Sequence, residues 1–153
     1  MKSDPINILL AEDDPDDRFF FDKALNEIPI ATQLTTVRDG EELMEYLFAN
    51  LNNLPTILFL DLSMPRKTGF ECLTEIKEDP KLKDLTVVMI STSFQCDLQY
   101  EKNMMKMLFN IGAEDYIRKP NDFIQLVNII HNTITNTIEK KAKGKDEICD
   151  HLI

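Results

Sequence analysis

Short apolar runs alternate with amphipathic segments five times along this chain, and that alternation limits the available folds more than any other feature of the sequence. Most of the runs are nearly continuous in apolar residues, which is typical of strands buried on both faces of a parallel sheet. Between the runs, apolar residues recur three and four positions apart, which predicts helices. The predicted strands are residues 6–11, 32–37, 56–61, 85–90 and 115–118.

Local signals mark where several of the helices begin and end. Asp14 followed by Pro15 is typical of an N-cap and a first helical residue. Asp39 with Glu42 is typical of a capping box. Gly112 is expected to end the fourth helix.

The alternation of strand and helix predicts an α/β fold with a doubly wound parallel sheet of five strands and five helices. Parallel strands need crossover connections, and right-handed crossovers place helices on both faces of the sheet. A chain of 153 residues is expected to build one such domain without an attached output domain. We expect residues 1–138 to form the domain and residues 139–153 to form a frayed or flexible polar tail.

Charge and composition exclude several kinds of partner. The chain carries 17 Lys and Arg against 27 Asp and Glu, a formal net charge of -10, so direct binding of nucleic acid or of a membrane surface is not expected. The absence of a spanning apolar run and of a signal-peptide layout predicts a cytoplasmic protein. The cysteines show no Cys-x-x-Cys spacing and are expected to be reduced thiols, and the histidines are expected at the surface. These residues are Cys72, Cys96, Cys149, His131 and His151.

Polar side chains follow four of the five predicted strands. Glu12 and Asp13 come after the first, Asp61 ends the third, Ser91 follows the fourth and Lys119 follows the fifth. Ligands of doubly wound folds bind at the carboxyl edge of the sheet, where these side chains are expected to meet. Three close carboxylates repel one another unless a cation neutralises them, and oxygen ligands favour a hard ion such as Mg²⁺. The lysine charge and the serine hydroxyl suit a phosphoryl group formed on a carboxylate.

Each of these residues also has a purely structural explanation. Acidic residues after a strand are common helix caps, and a lysine before a proline is ordinarily a solvated charge at the end of a strand. The structural explanation would require independent coincidences at four strand ends, so it accounts poorly for the whole set.

The motifs that contain these residues resemble those of response-regulator receiver domains. The resemblance covers about residues 6–138 and implies a flavodoxin-like sheet of strand order 2-1-3-4-5 in a domain similar to the chemotaxis regulator. Residues 65–69 (PRKTG) and 76–83 (IKEDPKLK) are similar to the single-domain regulators that partner bacterial phytochromes. The family motifs are ILLAEDD (8–14), LFLDLSMP (58–65) with Gly69, MIST (89–92) and GAEDYIRKP (112–120).

The resemblance implies a chemical role for each residue of the site. Asp61 corresponds to the phosphoacceptor. Glu12, Asp13, Asp61 and the backbone carbonyl of Ser63 correspond to the Mg²⁺ ligands. Lys119 corresponds to the lysine that pairs with Asp61 and then with the phosphoryl group.

The resemblance also implies how the phosphoryl group is read and removed. Ser91 corresponds to the switch hydroxyl, and Tyr116 to the aromatic ring that turns inward when this hydroxyl moves. Ser63 and Ser93 correspond to the positions that tune dephosphorylation. The Lys119–Pro120 bond is expected to be cis, which would aim the lysine into the site.

The implied partners are proteins, and two other functions stay open. A sensor histidine kinase or phosphotransfer protein would donate the phosphoryl group to a non-enzymatic module. The phosphorylated form would bind a downstream protein target or form a homodimer. A Mg²⁺-dependent phosphohydrolase also uses an aspartyl phosphate, but such enzymes carry Asp-x-Asp-x-Thr after the first strand, whereas Asp61 follows the third. A constitutive adaptor or dimerisation scaffold would have no need of the acceptor, the acidic pair, the serine and the lysine.

Overall fold

The structure is a computed structural model that describes residues 4–91 and 98–151 of the chain. No helix in these two ranges is both long enough and apolar enough to cross a membrane. In chain order the elements are β1 (Ile6–Ala11), α1 (Pro15–Glu27), β2 (Thr32–Val37), α2 (Gly40–Ala49), β3 (Ile57–Asp61), α3 (Gly69–Glu78), β4 (Thr86–Ser91), α4 (Leu98–Ile111), β5 (Asp115–Arg118) and α5 (Phe123–His151).

The strands form one parallel sheet in the order β2-β1-β3-β4-β5, which confirms the predicted topology. The register places Asp61 of β3 beside Ile90 of β4, and Ser91 of β4 beside Arg118 of β5. Because all the strands point the same way, the carboxyl ends of β1, β3, β4 and β5 share one edge of the sheet.

Two apolar layers hold the sheet between its helices. Successive residues of a strand face opposite sides, so Leu10 of β1 packs on one face and Leu9 on the other. On the first face, α1 and α5 cover the sheet, and the rings of Phe21 and Phe59 meet edge to face with centroids 5.0 Å apart. On the second face α2, α3 and α4 cover the sheet. The strands that carry the polar residues are thereby fixed from both sides.

Three of the predicted helix boundaries are confirmed. Asp14 caps α1 by accepting backbone N–H groups of its first turn, and Pro15 is the first helical residue. Asp39 caps α2 by accepting the N–H of Glu42 at 2.8 Å. Gly112 follows α4 with a φ of 132°, a conformation that L side chains rarely adopt.

Four boundaries differ from the sequence prediction. β3 begins at Ile57 and β4 at Thr86, each one residue later than predicted. β4 ends at Ser91 and not at residue 90, so the serine belongs to the strand. α5 continues to His151, so the helix end predicted near residue 138 is wrong. Glu, Lys and Ala directly after this point favour helix, and Lys141 donates a hydrogen bond to the carbonyl oxygen of Thr56 at 2.9 Å. The division into a domain and a tail stays a prediction.

Candidate functional site

Three carboxylates from the ends of β1 and β3 lie together at the carboxyl edge of the sheet. Ligand oxygens of Glu12, Asp13 and Asp61 all lie within 4.8 Å of one another. Glu12 and Asp61 are buried, each with 2% of its surface exposed, whereas Asp13 is exposed. The structure therefore brings together the three side chains that the sequence marked as metal ligands.

Burial disfavours the charged form of Glu12 in this cluster. Burial, followed by a hydrogen bond to Asp61 and the charge of Asp61, raises the pKa of Glu12 to about 8, against the opposing effect of Lys119. Crowded carboxylates of this kind are stabilised by a cation, and oxygen donors suit a hard divalent ion. The donor set thus fits Mg²⁺ at the position where the sequence predicted it.

Lys119 provides the positive charge next to the cluster. Its backbone N–H donates to the carbonyl oxygen of Ser91 at 2.9 Å, which ties the end of β5 to the end of β4. Its amine contacts the Glu12 carboxylate and donates to Asp17 Oδ2 at 2.9 Å. Burial disfavours the charged amine, but the hydrogen bonds to Asp17 and Glu12 and the nearby carboxylate charges outweigh it and raise the pKa of Lys119. The lysine pairs with Glu12 and Asp17, and not with Asp61 as the resemblance implied.

Two features around the lysine were not expected from the sequence. The Lys119–Pro120 peptide bond is trans, so the expectation of a cis bond is wrong. Trans is the ordinary state of an X-Pro bond, and with it the amine already reaches Glu12. The second feature is Asp17, which sequence reasoning missed as a partner of the lysine. Its position in the first turn of α1, the helix that begins directly after the acidic pair, was the available signal.

Ser91 and Tyr116 are in direct contact. Ser91 is buried, and its hydroxyl oxygen shares a hydrogen bond of 2.6 Å with the phenolic oxygen of Tyr116. The tyrosine is half-buried and packs against the apolar layer under α2, α3 and α4. The structure thus places the two residues of the predicted switch side by side.

The loop after β3 bends closely around the proposed acceptor. The N–H of Ser63 donates to Asp61 Oδ1 at 3.3 Å, and the N–H of Gly69 donates to the carbonyl oxygen of Leu62 at 3.1 Å. Ser63 is exposed, and the role of its carbonyl as a metal ligand stays a prediction. Ser93 lies outside the described residues.

Comparisons with known proteins agree with this geometry. A family profile described as "Response regulator receiver domain" matches residues 8–131. Response regulator Rcp1 of Synechocystis sp. is 37% identical over 98 residues, a match that covers 61% of this chain and 66%, just under two thirds, of that protein.

Solved structures of similar proteins share the fold. The phosphorylated cyanobacterial phytochrome response regulator RcpA is 33% identical with a TM-score of 0.72, and the match covers 85% of this chain and 91% of that one. The Mn²⁺-bound form of response regulator Rcp1 is 29% identical with a TM-score of 0.70, covering 84% of this chain and 91% of that one. These matches confirm the resemblance drawn from the motifs, including the similarity to phytochrome response regulators.

Proposed function

The chain belongs to the response regulator receiver domain family, and from this membership we propose that it is a signalling switch whose Asp61 accepts a phosphoryl group in a Mg²⁺-dependent reaction. One observation carries the proposal: the carboxylates of Glu12, Asp13 and Asp61 meet at one edge of the sheet. The amine of Lys119 lies at the same edge, in contact with Glu12. A sensor histidine kinase or a phosphotransfer protein is the donor. The similarity to phytochrome response regulators supports a phytochrome-type kinase as this donor.

Asp61 is the reacting group in this proposal. One oxygen of its carboxylate attacks the phosphorus of a phosphohistidine on the partner. The new O–P bond forms as the N–P bond breaks, and the histidine nitrogen leaves with the electron pair and takes up a proton from water. The Ser63 N–H on Asp61 Oδ1 fixes the orientation of the carboxylate, since it holds one oxygen and leaves the other for attack.

The acidic cluster would hold the metal ion. When bound, Mg²⁺ neutralises negative charge on the ligands and on the transferring phosphoryl oxygens. Glu12, Asp13 and Asp61 supply carboxylate oxygens, and the Ser63 carbonyl is proposed as a further ligand. The Mn²⁺-bound form of the similar response regulator Rcp1 supports the binding of a divalent ion.

The negative charge of the phosphoryl group on Asp61 would be converted into a change of shape by three residues, Lys119, Ser91 and Tyr116. The phosphoryl oxygens attract the lysine amine and the serine hydroxyl, which draws the hydroxyl away from its hydrogen bond with Tyr116. The ring then rearranges on β5 and biases a two-state equilibrium of the neighbouring surface. That surface binds a downstream protein or a second copy of the chain, and Ser63 and Ser93 tune how long the phosphoryl group lasts.

Phosphorylation of the purified protein tests the proposal. Incubation with acetyl phosphate and Mg²⁺ should add the mass of one phosphoryl group to the wild type, and EDTA should prevent the addition. Asp61→Asn should stay unlabelled, while Asp84→Asn, at an exposed acid outside the cluster, should label like the wild type. Labelling that persists in Asp61→Asn would overturn the assignment.

The two other functions predict different results in separate assays. A phosphohydrolase would turn over small phosphoesters many times and release free phosphate. A constitutive adaptor would bind its partner equally well with and without the phosphodonor.

A further inference from the structure

Asp17 lies in the first turn of α1, next to the lysine of the proposed phosphorylation site. Asp14 accepts the backbone N–H groups of Asp16 and Asp17 at 2.8 and 3.3 Å, which fixes the turn that carries Asp17. Asp17 Oδ2 in turn accepts a hydrogen bond from Lys119 Nζ at 2.9 Å. The side chain of Asp17 is 35% exposed and that of Lys119 is 18% exposed, so the ion pair is only partly open to solvent. α1 therefore holds one side of the lysine amine.

The two carboxylates that contact the amine differ in position. Glu12 belongs to the cluster with Asp13 and Asp61, whereas Asp17 stands outside that cluster on the helix. The backbone of Lys119 is fixed by its hydrogen bond to β4, so only the flexible side chain can redirect the amine. An ammonium has three N–H donors, and in this arrangement Glu12 and Asp17 each engage one.

We propose that Asp17 is a positioning residue that holds the Lys119 amine toward α1 and so competes with Asp61 and its incoming phosphoryl group for the lysine. The inference rests on the proposed phosphorylation of Asp61. Releasing the amine from Asp17 makes its charge available where the phosphoryl group arrives. Because ion pairs at partly exposed positions are weak, we expect a rate effect of about two- to fivefold.

Three single variants separate this role from general electrostatics. The readout is the initial rate at which acetyl phosphate labels Asp61 in excess Mg²⁺. Asp17→Asn should label about two- to fivefold faster than the wild type. Asp17→Glu keeps the charge and should return the rate toward the wild-type value. Asp16→Asn removes the same charge from the same turn at an exposed position, and its rate should stay close to wild type.

A Lys119→Met background completes the test. If Asp17 acts through the lysine, Asp17→Asn should have no further effect on the labelling rate once the amine is gone. Slower labelling in Asp17→Asn, equal acceleration in Asp16→Asn, or acceleration that survives in Lys119→Met would each overturn the inference. Urea unfolding of every variant confirms that the rates are those of folded protein.

The same data distinguish the two levels of proposal. If the wild type is not labelled on Asp61, the proposed function fails and this inference fails with it. If the wild type is labelled and Asp17→Asn behaves like Asp16→Asn, only the role of Asp17 is wrong.

Discussion

The hydroxyl oxygen of Ser91 lies 2.6 Å from the phenolic oxygen of Tyr116, which joins the last residue of β4 to the second residue of β5. Ser91 is buried and Tyr116 is half-buried, so the bond is shielded from water. Ser91 also accepts the backbone N–H of Lys119 through its carbonyl oxygen. A displacement of the serine would therefore be transmitted both to an aromatic ring and to the strand end that carries the lysine.

Replacing Tyr116 with Phe should lower the free energy of unfolding by about 1 kcal/mol, because the buried Ser91 hydroxyl loses its partner while the ring stays in place. Urea unfolding of the phosphoryl-free protein measures this loss. Tyr100→Phe is the matched control, since Tyr100 on α4 is 64% exposed and should tolerate the change. Adding Ser91→Ala to Tyr116→Phe should cost much less than Ser91→Ala alone. Additive losses would mean that the two hydroxyls do not stabilise each other.

Mg²⁺ should stabilise the protein through the acidic cluster. At ten times its dissociation constant, a ligand of the folded state adds about 1.4 kcal/mol to the free energy of unfolding. For a chain of 153 residues, about 1.4 kcal/mol should raise the melting temperature by about 3–6 °C. EDTA should reverse the rise, which differential scanning calorimetry measures.

Asp13→Asn should remove most of this Mg²⁺ effect and leave the metal-free protein slightly more stable, because the negative charge of Asp13 no longer repels its acidic neighbours. Asp22→Asn changes an exposed acid of α1 outside the cluster and should keep the full response to Mg²⁺. A Mg²⁺ shift that is the same in all three proteins would indicate general screening of the net charge of -10.

The fold could be predicted because burial leaves a clear pattern on the strands. β3 and β4 are buried at every residue, and their continuous apolar runs gave both the strand type and the layer of helices on each face. Because parallel strands share one direction, the polar residues at the strand ends could then be expected to meet at one edge of the sheet. Glu12, Asp13 and Asp61 meet as expected because backbone geometry alone brings their positions together.

The partners of the lysine could not be predicted in the same way. Which carboxylate Lys119 contacts depends on the reach of a flexible four-carbon side chain and on the exact placement of the first turn of α1. Neither appears in a pattern of apolar residues, so Asp17 was missed. The end of α5 was missed for a related reason, because the apolar pattern stops near residue 138 whereas the Glu, Lys and Ala residues that follow are strong helix formers.

Cys72 should react slowly with alkylating reagents while the protein is folded. Burial raises the pKa of its thiol to about 11, against the opposing effect of Lys67. The thiolate is the reactive form, and at pH 8 it amounts to roughly one molecule in a thousand. Because the thiolate fraction rises about tenfold per pH unit below the pKa, the alkylation rate should rise about tenfold per pH unit until the pH nears this pKa or the protein unfolds. Peptide mapping after iodoacetamide treatment, with and without urea, measures the alkylation rate of Cys72. Equal rates in the folded and the unfolded protein would contradict the expectation.

Gly69→Ala should destabilise the protein although alanine is the better helix former. Gly69 is the first residue of α3, and a Cβ there would lie 2.1 Å from the carbonyl oxygen of Asp61 and 2.9 Å from the Cα of Leu62. Both atoms belong to the backbone, so no side chain can move aside. We expect a loss of about 1–3 kcal/mol in the free energy of unfolding, as for other forced contacts in packed regions.

The same substitution should slow labelling of Asp61 by acetyl phosphate, because relief of the contact shifts the backbone that carries the acceptor. Ser63→Ala in the same loop is the control for stability, since Ser63 is exposed and its side chain can be shortened without creating a void. Helix propensity alone would make Gly69→Ala stabilising. The sign of the measured change therefore decides whether the close approach of Gly69 to Asp61 dominates, and a gain in stability would show that it does not.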